Sequence, residues 1–160
     1  MITKFEPVIN SLKQLIFEWE PKLLNFSQEI ITERRNSQNR NIKQIVGHMI
    51  DSASNNIHRI VHLQYCENPL IFPNYATHGN NNRWIAIQNY ENEDWSNMVH
   101  LWKYLHLHIA HVMSNVDPSK LKNEWLHNNK DGISLKKMVI DFLRHFQLHI
   151  DEITDLIKKN

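Results

Sequence analysis

Hydrophobic residues recur at steps of three and four along four segments of the chain, which is the spacing of amphipathic helices. The first segment runs from Phe5 to Ile30. Pro21 interrupts it and predicts a kink or a split near Glu20, because proline lacks the N–H that an interior helical position donates. The apolar positions of this segment are Phe5, Val8, Leu12, Leu15, Trp19, Leu23, Phe26 and Ile30.

The other three segments have recognisable helix boundaries. After the polar stretch ERRNSQNRN, Asn41 is a predicted N-cap and Gln44 has the spacing of a capping box. That second helix is predicted to end near Cys66. The third is predicted from about residue 94 to residue 116, and the fourth from around Ser134, after the turn KDG.

Four amphipathic helices of this length predict an all-α fold, a four-helix bundle formed by a single domain over residues 1–160. Only 3 Gly and 5 Pro are present, few for the tight turns of an all-β protein. The connection between the second and third helices, residues 67–93, is long for a compact domain. Such a connection is typically functional or contains a short helix, for which RWIAIQNY is the candidate.

Composition and charge exclude several classes of function. The net charge is +1 and basic residues form no run, which argues against a nucleic acid or an anionic membrane as partner. No apolar stretch approaches the roughly 20 residues that span a bilayer, and the N-terminal residues lack the apolar run of a secretory signal. A single cysteine, Cys66, excludes an intrachain disulfide framework. We therefore expect a cytoplasmic protein.

Two histidine pairs have the i, i+4 spacing that can hold a metal. Randomly placed, 11 histidines in 160 residues give roughly 0.7 such pairs, so the setting of each pair must decide. His58 and His62 share a polar stripe of the second helix with Asp51 and Asn55, opposite the apolar face. We expect all four side chains to face solvent and the histidine pair to bind no metal.

The second pair, His145 and His149, lies on the apolar seam of the fourth helix, followed by Glu152. Polar groups on a buried seam need partners, because each unsatisfied one costs about 1–3 kcal/mol. Two interpretations remain open: buried histidines bonded to one another or to backbone, or a metal or catalytic site. The seam positions, at steps of 4, 3, 4, 3 and 4, are Met138, Phe142, His145, His149, Glu152 and Leu156.

Further candidate groups come from the other two helices. Catalytic zinc usually takes three protein ligands and a water, and His48 in VGHMID is a candidate third ligand. It lies on the flank of the apolar face, next to Gly47, which permits close approach of another element. His106 lies on the apolar side of the third helix, and either lines the pocket or belongs to the core.

Two carboxylates and three aromatics complete the candidate site. Asp51, one turn beyond His48, is either a base or a support for a ligand, although its wheel position favours solvent. Glu152, one turn beyond His149, is the stronger candidate for orienting a ligand. Three aromatics of the long connection either line the pocket or pack the helices: Trp84, Tyr90 and Trp95.

Three stretches together resemble the DinB/YfiT-like superfamily of metal-dependent enzymes: GHMIDSASNNIHRIV, RWIAIQNYENEDWSNMVHLWKYLHLHIA and ISLKKMVIDFLRHFQLHIDEI. The most specific parts are the Gly-His of the second helix and the Asp-x-x-x-His-x-x-x-His that begins at Asp141. The resemblance implies a four-helix bundle in which His48, His145 and His149 hold one divalent metal, zinc or nickel. This chain has Leu148 where relatives often carry a further histidine, and His106 where many have asparagine.

The resemblance also implies a class of activity. The family includes thiol-dependent S-transferases and isomerases that use bacillithiol, mycothiol or glutathione. We therefore expect a metal-dependent hydrolase or thiol S-transferase acting on a small molecule, with a low-molecular-weight thiol as a further cofactor. The alternative is a non-catalytic bundle whose metal is structural or sequesters a ligand. A homodimer is expected as well, because 5 Trp and 6 Phe exceed what a one-layer core needs and family members often pair.

Overall fold

The computed structural model describes residues 5–127 and 131–158, and four long helices form its body. Each of α1 and α3 packs against both α5 and α6, so α1 and α3 lie diagonally across the core. The predicted all-α four-helix bundle is confirmed. The long helices are α1 (Glu6–Leu24), α3 (Ile42–Tyr65), α5 (Trp95–Ser114) and α6 (Leu135–Lys158), and two short ones, α2 (Gln28–Glu33) and α4 (Asn80–Ile87), lie in the connections.

The predicted starts of the second and third helices are confirmed by their caps. The side chain of Asn41 accepts a hydrogen bond from the backbone N–H of Gln44 at 2.9 Å, and the Gln44 side chain accepts from the backbone N–H of Asn41 at 3.1 Å. Asp94 accepts from the backbone N–H of Asn97 at 2.8 Å and starts α5 in the same manner. Each cap satisfies N–H groups that have no partner inside the helix.

Of the predicted kink or split near Glu20, the split is wrong, because α1 continues through Pro21 to Leu24. The backbone N–H of Asn25 donates to the carbonyls of both Pro21 and Lys22 at 3.2 Å, which closes the last turn. The proline therefore removes one donor without ending the helix. Of the two remaining apolar residues of this segment, Phe26 lies in the link after α1 and Ile30 belongs to α2, which Ser27 caps separately.

The apolar seams of the long helices meet in one core. Leu12 and Ile16 of α1 and Trp102 of α5 are completely buried in it. Burying an apolar side chain of this size stabilises the folded state by about 1.5–3 kcal/mol relative to leaving it exposed. The core therefore supports the bundle independently of the few polar groups that the seams also bury.

A small sheet covers one end of the bundle, although the sequence pattern predicts no strand. β1 (Leu70–Ile71) pairs in parallel with β2 (Glu124–Leu126), which pairs antiparallel with β3 (Ile133–Ser134). Because β1 and the β2–β3 pair come from connections distant in sequence, their pairing leaves no local periodic signal. In this sheet Trp125 stands opposite Leu70 on one side and opposite Ile133 on the other.

The long connection of residues 67–93 contains the short helix α4, as predicted, although it begins three residues earlier than RWIAIQNY. Gly79 precedes α4 with φ +76°, a left-handed conformation that favours glycine. Within the described part of the chain, each helix is either too short or too polar to cross a membrane.

Candidate metal centre

Three histidines from two helices converge in the interior. His48 comes from α3 and His145 and His149 from α6, and one ring nitrogen of each lies within 4.8 Å of those of the other two. Only 5% of His48 and 4% of His149 is exposed, whereas His145 is half-buried at the edge of a cavity. The structure thus brings together the three residues that the sequence predicts as ligands.

The two α6 histidines present adjacent nitrogens. His149 Nδ1 donates to Glu152 Oε2 at 2.8 Å, which leaves the Nε2 lone pair free. That Nε2 lies 3.1 Å from His145 Nε2. Two nitrogens bound at about 2.0–2.1 Å to a tetrahedral zinc lie roughly 3.3 Å apart, so this spacing matches a shared metal.

His145 is oriented by a hydrogen-bonded chain on α3. Its Nδ1 lies 3.4 Å from Ser52 Oγ, and that oxygen also accepts from Asn56 Nδ2 at 3.3 Å. We assign the Nδ1 proton to this contact, which leaves Nε2 unprotonated. Ligating histidines commonly donate their other ring N–H to a polar neighbour in this manner.

The electrostatics keep two of the rings neutral. Burial, together with the neighbouring His149 and His145, lowers the pKa of His48 to about 2. Burial and His149 likewise lower the pKa of His145 to about 4. Neutral imidazole is the form that binds a metal. Among the described residues His48 Nδ1 has no hydrogen-bond partner, although it is buried, so the donor set fits a divalent cation.

Two of the three histidines, His48 and His145, line a cavity of 320 Å³ whose wall includes Trp125 of the small sheet. This volume is at the lower end of the range typical of small-molecule sites. A larger groove of 710 Å³ lies between α1 and α6 and contains none of the three. The lining of the smaller cavity includes His48, Ser52, Asn56, Arg59, Asn74, Tyr75, Trp125, Met138, Phe142 and His145.

The prediction that Asp51 faces solvent is wrong. It is 1% exposed, because α4 and the residues after it cover that side of α3. Its Oδ1 accepts from Tyr90 Oη at 2.7 Å and from Gln88 Nε2 at 2.6 Å. Burial raises the pKa of Asp51, and these two hydrogen bonds oppose the shift. Asp51 is not among the residues that line the cavity.

The predicted aromatic residues do not line the cavity. Tyr90 is buried against Gly47, where its ring occupies the space that a side chain would need. Trp84 lines a neighbouring groove and meets the ring of Tyr75 edge to face. Trp95 is buried and donates from Nε1 to the carbonyl of Leu23 at 2.8 Å, which makes it a packing residue.

His106 belongs to the core. It is 1% exposed, its Nδ1 donates to the carbonyl of Trp102 at 2.6 Å, and its ring lies 5.0 Å from that of Phe146. Together with His145 it borders a void with no room for water, separate from the main cavity. Of the two alternatives that the sequence left open, the structure favours the core role.

The pair His58 and His62 lies away from the three-histidine cluster, as expected. His58 is exposed and His62 half-buried, and their rings stack at 6.2 Å. His62 Nδ1 donates to the carbonyl of His58 at 2.7 Å. Among the described residues neither belongs to a group of metal-ligating side chains.

Five further residues of the cavity were not among the candidates that the sequence indicated. Ser52, Asn56 and Arg59 continue the face of α3 that begins at His48, at steps of four, four and three. That spacing was a usable signal. Tyr75 and Trp125 reach the cavity from irregular connections, for which helical periodicity gives no signal.

Acid should destabilise the metal-free protein through its buried histidines. Burial lowers the pKa of His106 to about 4, whereas the unfolded chain titrates near 6.5. The unfolded state therefore binds more protons between these values, and stability falls as pH falls through this window. We expect His106 to lower the free energy of unfolding by about 2 kcal/mol at pH 5. His48 and His145, whose pKa values are also lowered, should act in the same direction.

Urea unfolding of the metal-free protein at pH 7 and pH 5 measures this loss. In His106→Phe the difference between the two pH values should shrink by about 2 kcal/mol, because one titrating group is gone. A free energy of unfolding that is equal at both pH values would contradict the assignment of neutral, buried histidines.

Comparison with known proteins supports the fold. No protein-family model matches the sequence, and no curated protein matches it significantly. Among solved structures, YfiT from Bacillus subtilis superimposes with a TM-score of 0.82 at 20% identity, over 98% of this chain and 88% of YfiT. It is described as a probable metal-dependent hydrolase with an unusual four-helix bundle topology.

A second structure of similar architecture is a mycothiol-dependent maleylpyruvate isomerase, with a TM-score of 0.75 at 10% identity. The match covers 94% of this chain and 61% of the isomerase, so the chain spans about three fifths of that protein. The resemblance inferred from the sequence motifs is thereby confirmed at the level of the fold. The chain has the DinB/YfiT-like four-helix-bundle fold.

Proposed function

We propose that the protein is a metal-dependent enzyme that acts on a small molecule at the site formed by His48, His145 and His149. One observation carries the proposal: one ring nitrogen of each of the three histidines lies within 4.8 Å of those of the other two, and His48 and His145 line a cavity of 320 Å³. Among the described residues no fourth histidine, cysteine or carboxylate joins the group. Three protein ligands with an open position are typical of catalytic sites, whereas structural sites are closed by four.

The residues around the site have separate roles in this proposal. The metal, zinc or nickel, supplies Lewis acidity that activates a water or a thiol as nucleophile. Glu152 holds His149 in the tautomer whose Nε2 faces the site. Ser52 does the same for His145. Asp51, which is buried and bonded to Tyr90, supports α3 next to His48 and is not the general base.

Two reaction classes are compatible with this site, hydrolysis and thiol-dependent S-transfer. The likeness to a probable metal-dependent hydrolase favours the first, and the likeness to a mycothiol-dependent isomerase favours a thiol cofactor. Zinc-loaded and nickel-loaded protein should be assayed with p-nitrophenyl acetate and with chlorodinitrobenzene plus glutathione, bacillithiol or mycothiol. Turnover that depends on both metal and thiol supports S-transfer; metal-dependent release of p-nitrophenol alone supports hydrolysis.

The rival function is a bundle in which the metal is structural. Chelation separates the two, because a structural metal contributes its binding energy to folding. The apolar seams already supply a buried core, so the metal-free protein should keep its helical circular dichroism and a cooperative melt. Loss of the helical signal on chelation would favour the structural role and overturn the enzyme proposal.

Glu152→Gln should weaken zinc binding by about 10- to 100-fold, because the carboxylate that accepts from His149 Nδ1 is lost. Competition with a chromophoric chelator measures the affinity. Asp155→Asn, an exposed carboxylate one turn further along α6, is the matched control and should leave the affinity unchanged. Equal zinc affinities for wild type and Glu152→Gln would show that Glu152 has no role in metal binding.

We also propose that the protein is a cytoplasmic homodimer, as the aromatic content and the resemblance suggest. The α1 and α6 faces leave large apolar side chains in solvent, among them Phe17 at 55% and Leu148 at 52% exposure. Sedimentation equilibrium at micromolar concentration should give twice the chain mass of 19.2 kDa. A particle of the mass of one chain would contradict the dimer.

A further inference from the structure

Arg59 is a buried cation without a protein counter-ion. Its side chain is 7% exposed, and its only hydrogen bond among the described residues runs from Nε to the carbonyl of Asn55 at 3.3 Å. Every Asp and Glu of the chain lies in the described part, and none is within 4.0 Å of the guanidinium. Burial lowers the pKa of Arg59 to about 10, so it stays charged at neutral pH. An unpaired buried charge is strongly unfavourable.

The small sheet fixes this guanidinium in place. Arg59 Cζ lies 4.2 Å from the centre of the Trp125 ring, a cation–π contact. Trp125 in turn donates from Nε1 to the carbonyl of Phe72 at 2.8 Å. Trp125 therefore connects the end of β1 to the cation on α3, and the guanidinium cannot leave the cavity wall without breaking this contact.

Arg59 lines the same cavity as His48 and His145, two of the three clustered histidines. It lies three turns along α3 from His48, on the same face of the helix. The one carboxylate on the cavity wall, Asp141, is already paired with Lys137 at 2.6 Å and lies 4.0 Å from Arg144. The two Nη groups of Arg59 make no hydrogen bond to the described residues, which leaves them available to a ligand.

We propose that Arg59 binds the carboxylate of a small organic acid, and that such acids are the substrates of this site. A planar guanidinium binds a carboxylate through two parallel hydrogen bonds, a geometry that the two free Nη groups permit. The carbon skeleton would pack on Trp125, Met138 and Phe142, which form the apolar wall. That the acid reacts at the histidines rests on the proposed function, whereas carboxylate binding by Arg59 does not.

The test uses metal-free protein, so that no metal competes for the probe. Butyrate is titrated while the Arg59 Nε–H and Trp125 Nε1–H resonances are followed by NMR. Butyrate should shift both, and the neutral isostere butyramide should shift neither. Arg59→Met should weaken butyrate binding by about tenfold or more, as expected when a charge-assisted pair of hydrogen bonds is lost. The matched control Arg144→Met removes an exposed arginine at the mouth of the cavity and should change binding less than threefold.

Arg59→Lys is the control for a loss of binding that comes only from misfolding of Arg59→Met. It keeps the cation and loses the planar fork, so it should bind butyrate more weakly than wild type and more tightly than Arg59→Met. Wild-type affinity in both variants would overturn the proposal, as would equal losses in Arg59→Met and Arg144→Met. Tighter binding of propylphosphonate than of butyrate would overturn the assignment of a carboxylate.

A zinc titration distinguishes failure of this inference from failure of the proposed function. Arg59→Met should bind zinc with wild-type affinity, because Arg59 is not a ligand. If wild-type protein binds butyrate through Arg59 but binds no zinc, the enzyme proposal fails and the carboxylate site stands. If it binds zinc but not butyrate, the carboxylate site fails and the metal centre stands.

Discussion

His145→Ala is expected to lower zinc affinity by about 100-fold or more. The loss of a group that only hydrogen-bonds a ligating histidine already costs roughly 10- to 100-fold in affinity, and this substitution removes one of the three proposed ligands. The metal-free variant should remain folded, since His145 is half-buried and alanine favours the helix. Competition with a chromophoric chelator gives the affinity, and urea unfolding of the metal-free protein gives the stability.

His58→Ala is the matched control for this substitution, because it removes the first histidine of the other i, i+4 pair from an exposed position. It should leave zinc affinity unchanged and alter the free energy of unfolding by less than about 0.5 kcal/mol. Equal zinc affinities for wild type and His145→Ala would contradict the assignment of the ligands. A loss of several kcal/mol in metal-free His145→Ala would point to a structural role for the ring.

Gly47→Ala is expected to destabilise the protein by about 3 kcal/mol. A Cβ at this position would lie 2.6 Å from Tyr90 Cγ, far inside van der Waals contact. Overpacking of this kind costs about 1–3 kcal/mol, and displacing the ring also weakens the Tyr90 hydrogen bond to the buried Asp51. The gain of roughly 1 kcal/mol from replacing a helical glycine by alanine is smaller. Urea unfolding measures the net effect.

A double-mutant cycle with Tyr90→Ala isolates the cause. Without the ring, Gly47→Ala should be neutral or stabilising, because only the helix propensity remains. If Gly47→Ala is equally destabilising in both backgrounds, the clash with Tyr90 is not the reason for a glycine here. Zinc affinity measured on the folded fraction of Gly47→Ala would show whether the displacement extends to the adjacent His48.

The sequence predicts the long helices well because their signals are local. The Asn41–Gln44 capping box, which is present as predicted, acts over three residues, and so does the Asp94 cap at the predicted start of α5. The apolar seam of α6 is also a local signal, because the spacing of its residues is enough to place His149 on the side of the helix that faces the core. Pro21 shows the limit of a local signal. The proline lacks one backbone donor, but α1 still continues to Leu24 and its last turn closes.

The parts that could not be predicted depend on segments far apart in sequence. A helical wheel placed Asp51 in solvent, because it takes no account of α4 and the Tyr90 side chain that cover that face. The helical spacing of Arg59 could have placed it on the cavity face of α3, but its contact with Trp125 could not be predicted, because β-pairing between two distant connections brings that ring beside it.

Metal content tests the central claim most directly. Protein purified without a metal-affinity step, then dialysed against zinc or nickel and freed of excess, should contain one equivalent of divalent metal per chain by elemental analysis. The variant lacking all three imidazoles, with His48, His145 and His149 each replaced by alanine, should contain none. Equal metal content in wild type and this variant, or wild-type protein without bound metal, would contradict the account.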